Sequence, residues 1–259
     1  MAKLKKYNGL LWQFVLFLIF IFLFSCQPKK LWVNKIDGKE LKLLAEFKED
    51  SVINKMIFPY KDSIDKDLSK ELAYAPETLD KTGEWQSSIG NFFADVTLLK
   101  GAALLRENHQ KNLDFILLNS GGIRSIIPKG AVTARNAYEV MPFENNLTVV
   151  TLQGEQVLEL LNYFIAEHKP HPVSGIQFTI SNDKKPTQIK IQGQDFDPAK
   201  NYTVGTNDYL ANGGDNMLFF KKGLERIDLN YKLRDVLIDY FKSVDSLPVP
   251  KDQRIFIEK

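Results

Sequence analysis

An uninterrupted apolar stretch lies near the N-terminus of this chain. Three lysines within the first six residues precede the stretch at residues 10–24, and no further charged residue occurs before Lys29. The stretch ends at Ser25, directly before Cys26, the only cysteine of the chain. A basic start, an apolar middle and a small residue at the end are typical of a secretory signal. The sequence therefore predicts that residues 1–25 are removed and that the rest folds in an envelope compartment.

The position of Cys26 predicts a lipid anchor. A thiol that directly follows the cleaved bond is the group that accepts diacylglycerol in bacterial lipoproteins, and the small Ser25 suits cleavage, although Phe24 is bulky for such a site. The alternative is an uncleaved membrane-spanning signal anchor, since the stretch is close to the lower limit of about 20 apolar residues that cross a bilayer. We expect lipidation at Cys26 and attachment to a bacterial envelope membrane, on its periplasmic or cell-surface side.

Removal of the signal leaves a nearly neutral chain without cysteines available for disulfides. The remaining chain has 31 lysines and arginines against 32 aspartates and glutamates. No concentrated basic face is evident, which argues against a nucleic-acid partner. About 230 residues can bury enough apolar surface to form one large domain. We predict a signal peptide at 1–25, a lipidated tether and lead-in segment at 26–70, and the domain at 71–259.

Helix and strand patterns are mixed along this domain. Apolar residues at helical spacing predict helices that begin after Ser87 or Ser88, at Gly154 and at Leu233. Short apolar runs predict strands at residues 115–118, 176–180, 188–191, 202–206 and 254–257. The apolar clusters at 41–47 and 52–60 fit either a helix or a strand. Because no regular βαβ rhythm occurs, we expect an α+β fold, a mixed β-sheet with packed helices.

Three polar segments that contain glycine or proline interrupt the pattern, at residues 119–124, 141–145 and 207–215. The first combines Asn119 and Arg124 with two glycines, which let a backbone approach a ligand closely. Arginine suits bidentate recognition of phosphate or carboxylate. Each segment alone also has a purely structural explanation. The glycine pair fits a turn, the Pro-Phe pair fits a core, and Tyr209 fits the edge of a sheet.

Together and in this order, these segments resemble the C-terminal domain of the 5′-nucleotidase family. The matching stretches are residues 72–74, 79–80, 87–95, 119–124, 142–145, 152–154, 174–176 and 211–215. The resemblance implies that this chain binds a nucleotide or nucleoside. It implies substrate-binding roles for Asn119, Arg124, Phe143, Asn145, Gly175, Tyr209 and Asp215.

The resemblance also implies what these residues contact. Phe143 and Tyr209 match two aromatic rings that sandwich the nucleobase, and such stacking contributes about 1–3 kcal/mol per ring. Asp215 matches the carboxylate that accepts the ribose hydroxyls, while Asn119 and Arg124 match the pair near the phosphate and base. The family usually has phenylalanine at both aromatic positions. The hydroxyl of Tyr209 is therefore expected to change the base preference.

Two differences from the family pattern concern phosphate binding. The stretch at residues 81–86 lacks the usual arginines, and Gln86 stands where a glutamate is common. We expect weaker phosphate binding, or its transfer to Lys81 or to a partner chain. Glu144 replaces a small residue beside Phe143 and is expected to repel an anionic phosphate.

A larger difference concerns catalysis. The family hydrolyses phosphate esters with two metal ions held in a separate N-terminal domain by Asp-x-His, Gly-Asp-x-x-Asp and Gly-Asn-His-Asp/Glu segments, none of which occurs here. His109, His168 and His171 are interpreted as ordinary surface or capping residues. We predict no catalytic residue, metal or cofactor in this chain, and a two-metal centre only in a partner metallophosphatase.

Two functions of different classes follow from the resemblance. The chain is either the substrate-binding half of a split 5′-nucleotidase, or a non-catalytic lipoprotein that binds nucleosides or nucleotides in the envelope. A remnant with only a structural role is a third, weaker interpretation. A neighbouring reading frame that encodes a metallophosphatase would favour the split enzyme.

Overall fold

The computed structural model describes residues 4–24, 32–40 and 49–258. The chain divides into two compact units, Met1–Ser51 and Val52–Lys259. Cys26 and the apolar cluster at 41–47 lie outside the described residues, so lipidation and the predicted domain boundaries stay predictions.

The first unit contains one described helix. Helix α1 spans Leu4–Phe24 and includes the apolar stretch of the predicted signal. The side chains at residues 10–20 are all exposed, and all of them except Gln13 are apolar. Among the described residues, only the helix at Ser88–His109 is both long and apolar enough to cross a membrane, and slightly more than half of it is buried inside the fold. Burial of this extent is typical of a helix that packs in a protein core.

The second unit has an α+β fold, as predicted. Its described α-helices are α2 (Ser51–Leu68), α3 (Ser88–His109), α4 (Ala134–Val140), α5 (Gly154–Glu167), α6 (Asp208–Ala211) and α7 (Leu233–Phe241). The first residue of α2, Ser51, is the last residue of the first unit. Its described strands are β1 (Glu71–Ala75), β2 (Phe115–Leu117), β3 (Gly130–Thr133), β4 (Asn146–Gln153), β5 (Val173–Ser174), β6 (Ile176–Ile180), β7 (Pro186–Ile191), β8 (Gln194–Asp195), β9 (Asn201–Asn207), β10 (Glu225–Lys232) and β11 (Ile255–Ile257).

A mixed five-stranded sheet with the order β10-β4-β9-β2-β5 lies at the centre of this unit. Strands β2 and β9 are parallel, whereas β4 runs antiparallel to both of its neighbours. A four-stranded sheet has the order β11-β6-β7-β8, and β1 pairs with β3. Because β2 and β9 are parallel, their carboxyl ends lie on the same side of the sheet. Two of the three polar segments follow these ends.

Apolar side chains cover both faces of the central sheet. Along β2, Ile116 belongs to a cluster that includes α3 and α7, while Phe115 and Leu117 belong to a second cluster that includes α5. This alternation follows from the two-residue period of a strand. All three residues of β2 are fully buried, which explains why the sequence shows an unbroken apolar run there.

The three predicted helices begin where the sequence indicated, at Ser88, Gly154 and Leu233. Ser87 caps α3, because its side-chain oxygen accepts a hydrogen bond from the backbone N–H of Gly90 at 3.2 Å. Helix α5 begins at Gly154, and its buried apolar side chains are Val157, Leu160, Leu161, Phe164 and Ile165. The cluster at 52–60 is helical within α2, which has no buried residue.

Strands β4 and β10 were absent from the sequence prediction. Four consecutive residues of β4 are buried, so it lacks the alternation that identifies a half-exposed strand. Strand β10 is the polar edge of the central sheet, and its charged residues obscure the strand pattern. Charged residues at sheet edges discourage pairing with other chains.

Candidate functional site

The loop after β2 is built around Asn119. This residue is buried and precedes a short 3₁₀ turn at Ser120–Gly122. A Cβ atom on Gly122 would lie 2.9 Å from the Asn119 side-chain oxygen, so the close packing of the loop needs glycine there. The Asn119 amide and the Arg124 side chain therefore extend from the same short loop.

The segment after β9 begins with the short helix α6. Asn207 caps this helix by accepting a hydrogen bond from the N–H of Leu210 at 2.8 Å. The Tyr209 ring packs over Gly214, where an added Cβ would lie 2.5 Å from the ring. Asp215 follows with a φ of 51°, in the left-handed region. The segment is therefore folded back so that Tyr209 and Asp215 are adjacent.

The two loops and the Pro142–Asn145 segment enclose a cavity of about 390 Å³, which we call the interloop cavity. Its lining residues are Asn119, Gly121, Gly122, Arg124, Met141, Phe143, Asn145, Asn207, Tyr209 and Asp215. Six of the seven residues predicted to bind substrate are in this set. They come from three segments that are far apart in sequence.

Asp215 is the most connected polar residue of the interloop cavity. Its Oδ2 accepts a hydrogen bond from Asn119 Nδ2 at 2.6 Å, and its Oδ1 accepts one from the Tyr209 hydroxyl at 2.8 Å. The Tyr163 hydroxyl donates to the backbone carbonyl of Asp215 at 2.6 Å. The carboxylate is therefore oriented by side chains from two loops, and the backbone is held by α5.

The two aromatic side chains of the cavity are accessible, as expected for ligand-binding rings. Phe143 is 42% exposed and Tyr209 is 47% exposed, whereas Phe92 and Phe164 lie in the core. The guanidinium carbon of Arg124 lies 5.9 Å from the centre of the Phe143 ring. A cation at this distance interacts favourably with an aromatic face. Phe143 and Arg124 thus form one wall with apolar and cationic character.

Asn145 connects two of the segments around the interloop cavity. Its side-chain amide donates to Asp208 Oδ1 at 3.0 Å, and Asp208 Oδ1 also accepts from the N–H of Tyr209 at 2.8 Å. Asn145 therefore fixes the start of α6 against the Pro142–Asn145 segment.

Gly175 is the predicted residue that the structure does not bring to the interloop cavity. It lines a separate cavity of about 270 Å³ together with Asp95, Asp252 and Arg254. Its φ is 80°, and a Cβ atom would lie 2.5 Å from the backbone oxygen of Asp114. Close backbone packing at the start of β6 explains the glycine without any ligand contact.

His171 corrects the interpretation of all three histidines as surface or capping residues. It is only 3% exposed, and its Nδ1 accepts a hydrogen bond from the N–H of Ser120 at 3.2 Å. Its Nε2 has no hydrogen-bond partner within the described part of the chain. Burial lowers the pKa of His171 to about 4, and the positive charge of Lys169 adds to the effect. His171 thus supports the Asn119–Arg124 loop as a neutral acceptor.

The other two histidines agree with the sequence interpretation. His168 is an exposed C-cap of α5 that stacks on Trp85 with ring centres 4.2 Å apart. His109 is exposed in the last turn of α3. No signal in the sequence distinguishes His171 from these two, because its burial depends on the distant loop that begins at Asn119.

Glu144 is paired with positive side chains. It forms ion pairs with Lys232 and Arg234, and the hydrogen bonds from these residues lower the pKa of the Glu144 carboxyl to about 2. Arg234 itself is buried. The pairing compensates much of the negative charge that the sequence alone placed next to Phe143. The expected repulsion of a phosphate is correspondingly reduced.

Gln86 and Lys81 have structural contacts. The Gln86 amide donates to the carbonyl of Asp252 at 2.8 Å and accepts from the N–H of Arg254 at 2.8 Å, which attaches the C-terminal segment to the loop before α3. Lys81 Nζ donates to the carbonyl of Ile123 at 2.8 Å. Lys81 therefore lies beside the Asn119–Arg124 loop, where it contributes a positive charge next to Arg124.

No group of three or more histidine, cysteine, aspartate or glutamate residues suited to a metal ion occurs among the described residues. The prediction that metal ions are held only by a partner protein stays a prediction. The groups that do line the interloop cavity are aromatic, amide, guanidinium and carboxylate. Groups of these kinds are chemically suited to a polar aromatic ligand.

Comparison with known proteins identifies the family. The sequence profile of the family described as 5′-nucleotidase, C-terminal domain, matches residues 69–222. This match covers more than half of the chain, so the chain belongs to this family. The predicted resemblance and α+β fold are confirmed.

Several whole proteins share this domain. The chain is 27% identical over 210 residues to the trifunctional nucleotide phosphoesterase protein YfkN of Bacillus subtilis, covering 74% of this chain and 14% of that protein. It is 28% identical over 189 residues to the 5′-nucleotidase of Vibrio vulnificus, covering 70% of this chain and 32% of that protein. The chain thus spans less than a third of the length of each of these relatives.

A solved structure shows the same fold. The 5′-nucleotidase precursor from Thermus thermophilus superimposes with a TM-score of 0.67 at 25% identity, covering 81% of this chain and 43% of that protein. The Haemophilus influenzae NAD nucleotidase superimposes with a TM-score of 0.61 at 20% identity, covering 81% of this chain and 42% of that protein. More than half of each of these two structures lies outside the matched region.

Proposed function

We propose that this chain is the nucleotide-binding half of a split 5′-nucleotidase and works with a separately encoded metallophosphatase. The observation that carries the proposal is the convergence of six predicted binding residues on the interloop cavity. Membership of the 5′-nucleotidase C-terminal domain family supports a nucleotide or nucleoside as the ligand.

The proposed binding mode follows from the chemistry of the lining residues. The exposed rings of Phe143 and Tyr209 stack on the two faces of the base, because every base offers an apolar π surface. The Asp215 carboxylate accepts hydrogen bonds from the sugar hydroxyls. Arg124, assisted by Asn119, contacts the anionic end of the ligand with charge-assisted hydrogen bonds.

In this proposal the partner performs the chemistry. Two metal ions in the metallophosphatase activate a water molecule and stabilise the in-line displacement at phosphorus. The interloop cavity holds the nucleoside so that its phosphate projects towards that centre. Correct positioning of reacting groups accounts for a large part of enzymatic rate enhancement. Without the partner, this chain binds ligand and leaves the phosphate ester intact.

The second candidate function is a binding lipoprotein that holds nucleosides or nucleotides without catalysis. The same cavity supports it, since binding requires the lining residues and no metal centre. In both proposals the chain is exported, loses residues 1–25 and is held at an envelope membrane by lipid on Cys26. The apolar character of α1 supports export.

A reconstitution assay separates the two functions. The full chain, purified in a non-ionic detergent, is tested for phosphate release from AMP with Mn²⁺, Mg²⁺, Zn²⁺ or Co²⁺. The same test is repeated with a metallophosphatase from the same genome that carries the Gly-Asn-His-Glu segment. We expect no release by this chain alone and metal-dependent release by the mixture that exceeds release by the partner alone.

The variant Phe143→Ala should reduce the activity of the mixture, because it removes one stacking ring. Phe58→Ala is the matched control, since Phe58 is also exposed but lies on α2. Binding of AMP without any stimulation of the partner would favour the binding lipoprotein. Robust metal-dependent hydrolysis by the homogeneous chain would show that the proposed division of labour is wrong.

A further inference from the structure

The Tyr209 hydroxyl forms two hydrogen bonds with Asp215. It donates to Oδ1 at 2.8 Å and accepts from the backbone N–H of the same residue at 3.2 Å. The hydrogen bond to the carboxylate raises the pKa of Tyr209, because ionisation of the hydroxyl would remove the donor. The ring and the hydroxyl of Tyr209 therefore serve different parts of the cavity.

Asp215 needs such support because its backbone conformation is unfavourable. Its φ is 51° and that of the next residue, Asn216, is 59°. Non-glycine residues in this region persist only where surrounding contacts hold them. The two hydrogen bonds with Tyr209, the amide of Asn119 and the hydroxyl of Tyr163 supply those contacts.

The arrangement leaves a defined acceptor pattern on the carboxylate. An ionised carboxylate offers about four lone-pair positions, two on each oxygen. Asn119 occupies a position on Oδ2 and Tyr209 occupies one on Oδ1. Each oxygen keeps one further acceptor position. Two acceptors on one rigid carboxylate match two neighbouring hydroxyl donors, as in a vicinal diol.

We propose that Tyr209 is a positioning residue that makes the interloop cavity selective for ligands with a vicinal diol next to an aromatic base. This inference rests on the proposed nucleoside-binding function. The Tyr209 ring contacts the base, and its hydroxyl fixes Asp215 for the diol. The ligand class is therefore ribonucleosides and ribonucleotides, with 2′-deoxyribosides and free bases bound less tightly.

The test measures adenosine, 2′-deoxyadenosine and adenine binding to the full chain in detergent by calorimetric titration up to millimolar ligand. Wild type should bind adenosine roughly tenfold more tightly than 2′-deoxyadenosine, the range expected for loss of one hydrogen bond to a charged group. Tyr209→Phe should keep adenine affinity within about twofold, weaken adenosine roughly five- to tenfold, and remove most of the diol discrimination.

A double-mutant cycle identifies the route of the effect. In the Asp215→Ala background, Tyr209→Phe should cause no further loss, because the hydroxyl acts through the carboxylate. Tyr163→Phe is an independent second variant that removes the bond to the Asp215 carbonyl, and it should also weaken adenosine selectively. Tyr60→Phe, at an exposed position on α2, is the matched control and should change nothing.

The possible results are distinct. If Tyr209→Phe weakens adenine as much as adenosine, leaves adenosine unchanged, or adds to Asp215→Ala, the positioning role is refuted while the nucleoside site stands. If folded wild type binds none of the three ligands, the proposed function itself fails, together with this inference. Selective loss of adenosine and of diol discrimination supports the proposal.

Discussion

The stability of the domain in mild acid should depend on His171. This side chain is buried, and its Nδ1 accepts a hydrogen bond from the N–H of Ser120. Protonation would place a hydrogen on both ring nitrogens, so Nδ1 would face the Ser120 N–H as a second donor. A charged imidazolium would also have to exist in a poorly solvated position. The folded state therefore favours the neutral ring.

The magnitude follows from the lowered pKa. The ordinary pKa of histidine is about 6.5, and burial lowers that of His171 to about 4. Below pH 6.5 the unfolded chain binds a proton that the folded chain does not, so the free energy of unfolding falls as the pH falls. The loss is complete at about pH 4. At 1.36 kcal/mol per pKa unit it amounts to about 3 kcal/mol.

The assay compares wild type with His171→Asn, both as the compact unit Val52–Lys259. Asparagine keeps an acceptor near the Nδ1 position and has no titratable group. Trp85 is the only tryptophan of this unit and stacks on His168, so its fluorescence reports urea unfolding close to the site. The unfolding free energy of wild type minus that of His171→Asn should fall by about 3 kcal/mol between pH 7 and pH 4.

His109→Asn is the matched control, because His109 is exposed at the end of α3. It should follow the wild-type pH dependence. Acidic residues with lowered pKa values, such as Asp252, also affect acid stability, but they are common to all variants and cancel in the difference. Parallel loss of stability in wild type and His171→Asn across this pH range would refute the reasoning.

Three further predictions concern the anchor, the rings and one glycine. Cys26→Ser should accumulate as unprocessed precursor, and mass spectrometry of mature wild type should find an acylated N-terminal cysteine; an intact N-terminus would contradict this. Phe143→Ala and Tyr209→Ala should each weaken adenosine binding by about 1–3 kcal/mol in calorimetry, and unchanged affinities in folded variants would exclude base stacking. Gly214→Ala should displace the Tyr209 ring, because the added methyl would lie 2.5 Å from it, and should lower adenosine affinity, while Gly38→Ala, in open space, should not.

Elements that depend on a local residue pattern could be predicted from the sequence. The cap at Ser87 and the apolar spacing after it indicated the start of α3, and the unbroken run at 115–118 identified β2. The order of the polar segments was enough to indicate the family. These features are local because capping and burial leave a periodic or compositional trace within a few residues. In β4 and β10 polar residues interrupt the apolar run, and the prediction missed both strands.

Contacts between the polar residues depend on how the chain folds. Asn119 and Asp215 are 96 residues apart and share a hydrogen bond, whereas Gly175, which also matches the family, is packed in a different cavity. The burial of His171 and the direction of the Tyr209 hydroxyl likewise depend on loops from distant parts of the chain. A residue's own neighbours in sequence do not encode such contacts, because the packing of β2 beside β9 sets them.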